Sequence, residues 1–316
     1  MAAYTTFPDM IPLCLLPCPD LHAAAALTPG ALDRAGPGYL RSLYGAKVIV
    51  KPNLLTATPL ACTSPAVVAA ACAWLLDQGA RVTVLDSPGF GRAESVARAV
   101  GLADALRPLG LAVVGPGEAA PLSLDNGSRF GVSRRALESD LILSVPRVKA
   151  HSQMLLTLAV KNLFGLVVGM RKALVHTREG RSPEGFADAV AALWAALPPV
   201  AALADGITAM QRTGPSGGDP YPLGLLAASP SAVALDEALC AALGLPLART
   251  PLGAALERRR APGCAAAGAR IRYTDARPGD VAVGDFALPG ELMHTSFRPG
   301  RLLKSCLRRF WRSLRP

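Results

Sequence analysis

The sequence predicts an α/β protein with a mostly parallel sheet and flanking helices, and three observations carry that expectation. Four short, continuous apolar runs each end in turn residues, as strands buried on both faces do. Helical stretches opened by serine or Ser-Pro lie between them, and strands alternating with helices favour a parallel sheet. The chain has 316 residues, 51% of them hydrophobic and 18% charged, enough for a large core without disulfides or a structural metal.

Taken in order, residues 46–50 form the first run and end in Lys51-Pro52-Asn53. Ser64-Pro65 supplies an N-cap and an N1 proline for a helix over residues 66–78, which Gly79 stops. Residues 81–85 lead into Asp86-Ser87-Pro88-Gly89-Phe90-Gly91. Residues 111–132 have shorter apolar runs around an Asp125-Asn126-Gly127 turn, which fits an antiparallel excursion or a small second lobe. Residues 140–145 end in Pro146-Arg147-Val148-Lys149. Ser182-Pro183 opens a helix over residues 184–197, residues 200–204 end in Asp205-Gly206, and Ser231 opens a helix that closes near Gly244.

Ligands of open α/β sheets bind beyond the carboxyl ends of the strands. All four runs place polar groups there: Lys51 and Asn53, Asp86 and Ser87, Arg147 and Lys149, and Asp205. Any single one also suits a turn or cap. The loop from Asp86 to Gly91 matches neither the dinucleotide fingerprint nor a P-loop.

The richest stretch runs from Ser144 to Thr177. No acid appears between Asp140 and Glu179, while Arg147, Lys149, Lys161, Arg171, Lys172 and Arg178 are basic, and His151 and His176 fall within it. Cations and imidazoles on an apolar segment point to an anionic ligand or acid–base chemistry. Solvated charges on a plain helix are the alternative. On one unbroken helix His151 and Lys161 would stand roughly 15 Å apart. A shared site therefore requires the chain to bend, with His151 on a strand-to-helix loop and Lys161 and Asn162 near a helix end by Gly165.

These residues resemble the family called domain of unknown function 362 (DUF362). The matching pieces are KPNLL (Lys51 to Leu55), Ser64-Pro65, VLDSPG (Val84 to Gly89), SVPRVKAHSQMLLTLAVKNLFGLV (Ser144 to Val167), His176, ADGITAM (Ala204 to Met210), GPSGG (Gly214 to Gly218) and LLAASPSAVALDEA (Leu225 to Ala238). They divide the chain into a divergent segment over 1–45, a DUF362-like α/β domain over 46–297 and a basic tail over 298–316. Many members resemble fusions with a ferredoxin module carrying clustered cysteines. No iron–sulfur motif occurs in this chain, so a redox or metallocofactor-assembly role implies a separate ferredoxin-like partner.

The chain is more distantly similar to nickel-dependent lactate racemase, whose histidine, cofactor-bearing lysine ten residues on and later metal-binding histidine are matched in order by His151, Lys161 and His176. That similarity implies a nickel-type, nucleotide-derived cofactor, with His151 and His176 as metal ligands and a small 2-hydroxy acid as substrate. The racemase's glycine-rich surround of the lysine is replaced here by LAVKNLFG.

Charge and cysteines bound the rest. The net charge is +10, but Arg298, Arg301, Lys304, Arg308, Arg309, Arg312 and Arg315 supply seven positive charges in a tail without acids, leaving +3 for the body. In that tail Leu302, Leu303, Cys306, Leu307, Phe310 and Trp311 share one helical face. Such a segment suits an anionic membrane surface, an acidic partner, or packing on its own body; a specific nucleic acid is not expected from one short tail. Seven cysteines without framework spacing are read as reduced, and the N-terminus lacks a basic leader, so the body is expected in the cytoplasm, peripheral to membrane at most.

The expectation is an enzyme acting on a small carboxylate at the strand carboxyl ends. Lys51, Arg147, Lys149 and Lys161 would hold its charge, with Asn53, Ser87 and Asn162 beside them. His151 and His176 would transfer protons or bind metal, and Asp86 and Asp205 would orient them. A non-catalytic module at a membrane surface is the alternative.

Overall fold

The computed structural model describes residues 10–36, 42–89, 91–168, 182–261, 268 and 270–292. Its strands are β1 (Ile11–Pro17), β2 (Lys47–Pro52), β3 (Arg81–Leu85), β4 (Val113–Val114), β5 (Ala119–Ser123), β6 (Arg129–Ser133), β7 (Leu141–Val145), β8 (Arg147–His151), β9 (Leu155–Thr157), β10 (Val200–Gln211), β11 (Asp219–Tyr221), β12 (Leu225–Ser229) and β13 (Ile271–Tyr273). The α-helices that bear on the site are α1 (Leu21–Ala35), α2 (Pro65–Asp77), α3 (Ala93–Ala99), α4 (Leu102–Leu106), α5 (Arg134–Leu137), α6 (Ala159–Asn162), α7 (Pro183–Ala196), α8 (Ala232–Ala242) and α9 (Pro251–Arg258).

The main sheet runs β13-β1-β12-β10-β7-β2-β3-β4. The block from β10 to β4 is parallel throughout, whereas β12 lies antiparallel to both β1 and β10. The α/β class is therefore observed. From β2 the chain winds outward through β3 to β4, then returns to the other side of β2 and winds through β7 to β10. The direction reverses between β2 and β7, which makes their carboxyl ends the switch point of the sheet. The register there aligns Lys51 with Ser144.

Both faces of this block are covered, which is why its strands read as unbroken apolar runs. Val48, Val50, Leu141 and Leu143 pack with α1 and α2 residues such as Ala31, Val68 and Leu75. Ile49 and Ile142 point the other way, into a core with Phe164, Phe186, Leu193 and Leu239. The two-residue period carries Lys51 and Ser144 onto the face of Ile49 and Ile142, beneath α6 and α7.

Residues 119–133 form the antiparallel β5–β6 hairpin, a separate two-stranded sheet closed by the Asp125-Asn126-Gly127 turn. Cys14, Cys18, Cys62, Cys72 and Cys240 are free and buried. Among the described residues no helix is long and apolar enough to cross a membrane.

Three local expectations need correction. His151 closes strand β8 and does not lie on a loop: Val148 and Ala150 alternate with Arg147, Lys149 and His151, and the strand folds back as a β8–β9 hairpin before α6. Asp205 lies inside a strand, because β10 continues to Gln211 and pairs there with β8, β11 and β12. Ser64 precedes α2 without a side-chain capping bond, since its hydroxyl accepts from Arg147 Nη2 at 2.9 Å. Ser182 and Ser231 do cap α7 and α8, accepting from Gly185 N–H at 3.0 Å and Ala234 N–H at 3.2 Å.

Candidate functional site

Lys51 is the centre of the switch point. It is 1% exposed and spends all three ammonium hydrogens: on Asp86 Oδ1 at 2.8 Å, the Pro52 carbonyl at 2.5 Å and Asn162 Oδ1 at 3.1 Å. Burial lowers its pKa while Asp86 raises it. Asp86 also accepts the backbone N–H groups of Leu54 and Ser87, both at 2.6 Å, so the strand-end loop presents its amides to its own carboxylate. Ser87 itself is only half-buried.

Asn162 joins two strands and a helix. Its amide donates to the Lys51 carbonyl at 2.9 Å and Ser144 Oγ at 3.1 Å, and its oxygen accepts from Lys51 Nζ and from Asn53 Nδ2 at 3.0 Å. Every hydrogen-bonding capacity of this side chain is used. Asn53 Oδ1 in turn accepts from Lys149 Nζ at 2.6 Å. One connected network thus links Asp86, Lys51, Asn162, Asn53 and Lys149.

A second cluster clamps the neighbouring strand. Arg147 donates through Nε to Cys62 O at 2.9 Å, through Nη1 to Thr208 O at 2.6 Å, and through Nη2 to Ser64 Oγ; the guanidinium also pairs with Asp205, Nη2 to Oδ2 at 3.3 Å. Asp205 accepts Ser64 N–H at 2.7 Å. With Nη1 also reaching Asp205 Oδ1 at 3.5 Å, the guanidinium makes four hydrogen bonds and an ion pair within the chain.

The remaining two cations are not so matched. Lys149 reaches neutral acceptors, Asn53 Oδ1 and the Ala61 carbonyl at 2.8 Å, and keeps one hydrogen unspent. Burial first, and the Lys161 charge among the smaller causes, lower its pKa to about 7. Lys161 Nζ stands 5.2 Å from the Phe164 ring centroid and 5.1 Å from that of Phe186, with no hydrogen bond or ion pair among the described residues. Burial and the nearby Lys51 charge lower its pKa to about 8. Aromatic faces offset only part of the lost hydration.

Lys161 owes its place to a carboxylate on another helix. Asp236, on α8, accepts Ala159 N–H at 2.7 Å and Val160 N–H at 3.1 Å, so it caps α6 rather than the helix that carries it. Burial pushes its carboxyl up to about 7, and those two bonds pull the other way. The signal was present as a buried acid in a mostly apolar helix, but its target lay more than seventy residues away.

His151 ends the hairpin strand, buried, on the face that carries Arg147 and Lys149. Its Nδ1 accepts Gln153 N–H at 3.1 Å, which puts the proton of the neutral ring on Nε2. His176 lies outside the described residues, as do Arg171, Lys172 and Arg178. Among the described residues no group of three or more His, Cys, Asp or Glu side chains is placed to hold a metal ion.

The Gly214–Gly218 segment packs on the hairpin: Ser152 N–H donates to the Gly214 carbonyl at 3.0 Å, and a Cβ on Gly214 would overlap the Ala150 carbonyl. Gly165 similarly lies against the Lys51–Asp86 pair, where a Cβ would overlap Lys51 Cε and Asp86 Oδ1.

Fold and site together define a doubly wound α/β protein with a buried, partly uncompensated cationic cluster at its switch point. The chain belongs to the DUF362 family, the domain of unknown function whose model matches residues 48–241. It is 34% identical over 271 residues to a thylakoid-associated protein of Synechocystis sp., an alignment covering 84% of each chain. Two solved structures are similar: the lactate racemase apoprotein from Thermoanaerobacterium thermosaccharolyticum (TM-score 0.46, 14% identity, 72% of this chain and 57% of that one) and a protein from Thermotoga maritima (TM-score 0.41, 12% identity, 64% and 53%). The chain spans just over half the length of each.

Gly165→Ala is expected to lower stability by about 1–3 kcal/mol, because the methyl group must part a buried ion pair with no room to move; urea denaturation measures it. Stability should also depend on pH in a defined sense. Lys149 and Lys161 bind protons less tightly folded than unfolded, so between pH 7 and 9 the unfolded state holds more protons and stability rises with pH. Above pH 9 the buried Cys14 and Cys72 thiols, held up at about 11 and 12, oppose the trend. A Lys149→Met, Lys161→Met double variant should lose much of the rise in denaturation midpoint that wild type shows across that window, the part due to the buried Lys51 remaining.

Proposed function

We propose that this protein is an enzyme acting on a small carboxylate, whose negative charge is taken up by Lys149 and Lys161 at the switch point. The observation that carries the reading is the mismatch of charge: Lys51 and Arg147 each have a carboxylate in contact, whereas Lys149 and Lys161 are buried without one. An anion placed between them would supply the missing counter-charge and raise both depressed pKa values. Perturbed groups clustered at a sheet switch point favour a functional site over a structural ion-pair network.

The chemistry that suits these groups is proton transfer next to the carboxylate. Near pH 8 Lys161 is partly neutral and therefore able to accept a proton, and the buried His151 imidazole lies on the same strand as Lys149. Asn162, Asn53 and Asp236 act as positioning residues that hold Lys51, Lys149 and the helix bearing Lys161.

Calorimetric titration with a panel of small carboxylic acids tests the binding claim. At least one acid should bind at a single site, more weakly above pH 8, and Lys149→Met or Lys161→Met should each weaken it roughly tenfold or more. Binding by no acid, or binding indifferent to both variants, would refute the reading. Deuterium exchange at the carbon beside the carboxylate, followed by NMR, tests the catalytic claim, with Lys161→Met and His151→Ala expected to slow it.

A second reading concerns location. The name of the thylakoid-associated relative and the basic tail with its apolar helical face favour attachment to an anionic membrane surface. Truncation after Phe297 should abolish co-sedimentation with phosphatidylcholine vesicles containing phosphatidylglycerol. Equal sedimentation of both forms would exclude this role for the tail.

A further inference from the structure

Among the described residues, four buried side-chain polar atoms lack a hydrogen-bond partner: Gln153 Nε2, Gln153 Oε1, Thr157 Oγ1 and Arg259 Nε. Arg259 still engages Asp125 through Nη1. The other three fall within five consecutive residues of the β8–β9 hairpin, the element that also carries Lys149 and His151. Gln153 is 1% exposed and Thr157 3% exposed, so bulk solvent does not reach either side chain. Buried amides and hydroxyls are ordinarily bonded, and a cluster of exceptions beside a cationic site marks atoms whose partner comes from outside the chain.

Placement supports this. Thr157 is the register partner of Lys149, and directly paired residues of an antiparallel ladder project from the same face. The orphaned hydroxyl therefore stands on the side of the ammonium group that keeps an unspent hydrogen. Gln153 occupies the turn, whose backbone is fixed at two points: its own N–H on His151 Nδ1, and Ser152 N–H on the Gly214 carbonyl. The backbone under the carboxamide is thus held in place while its own donor and acceptor remain unused.

We propose that Gln153 and Thr157 read the uncharged part of the ligand, and that the anion bound at this site also carries a carboxamide-like edge, a donor and an acceptor side by side. A glutamine with both functions open is matched most fully by such an edge, through two parallel hydrogen bonds, with the threonine hydroxyl on the remaining lone pair or hydrogen. This rests on the reading of Lys149 and Lys161 as the anion-binding pair and adds the specificity that two lysines alone would lack. A site built for a hydrogen-bonding group rejects an analogue without one, because its own buried groups then stay unpaired.

Two acids of the same shape separate the possibilities: succinamate, and isocaproate, which has two methyl groups in place of the amide. By calorimetry the full chain should prefer succinamate roughly tenfold or more. Gln153→Met and Thr157→Val should each remove most of that preference and leave isocaproate affinity unchanged. Without ligand, both variants should match or exceed the wild-type Tm, since each removes an unbonded buried polar group. Equal wild-type affinity for the two acids, with both weakened by Lys149→Met, would overturn this inference alone. Binding of neither acid, while other acids of the panel bind, would also overturn this inference alone. Binding by no acid at all would overturn it together with the anion reading, and a lowered Tm for Gln153→Met would show the carboxamide already bonded within the chain.

Discussion

Four cations converge at the carboxyl ends of parallel strands in this protein, and water reaches almost none of them. A buried ammonium or guanidinium group must be matched by charge, by hydrogen bonds or by a lowered pKa. All three solutions occur side by side. Asp86 and Asp205 neutralise Lys51 and Arg147, backbone carbonyls and asparagine oxygens hold Lys149 in part, and Lys161 is left to aromatic faces and a lowered pKa. The gradient from matched to unmatched gives the site a direction, with the spare positive charge concentrated where β8 and α6 meet.

Holding such a cluster demands a scaffold that cannot relax away from it. The switch point supplies one, because β2 and β7 are hydrogen-bonded neighbours whose outward connections leave in opposite directions. Asn162 crosses from α6 to both strands, Asp236 fixes the start of α6, and Gly165 allows the chain to run against the Lys51–Asp86 pair. A helix of only four residues would not hold Lys161 unaided. Its position is imposed by neighbours in space.

The parallel block was legible in the sequence because its strands are continuous apolar runs bounded by Pro, Asn, Asp and Gly, and its main helices carry Ser-Pro or Ser starts. The convergence of Lys51, Asn53, Asp86 and Lys149 followed from the rule that strand ends share one edge, whereas Asn162 was expected near a helix end by Gly165. The β8–β9 hairpin was missed because charged residues at alternate positions look like a loop when their burial is unknown. The extension of β10 was missed for a related reason: Asp205-Gly206 has the composition of a turn, and only pairing with β8 and β12 makes it a strand. Gln153 and Thr157 carried no signal at all, since a missing hydrogen bond is a property of three dimensions. His176 and the C-terminal tail fall outside the described residues.

The start of α2 has a consequence for the order in which the molecule is built. Ser64 accepts from Arg147 through its hydroxyl oxygen and donates its backbone N–H to Asp205, partners that leave the ribosome 83 and 141 residues later. The contacts that fix the start of α2 against β8 and β10 therefore wait for those strands to be translated. Closure of such distant contacts slows assembly and exposes unfinished edges meanwhile. The same side chains that gather charge at the switch point thus make it one of the last regions to mature.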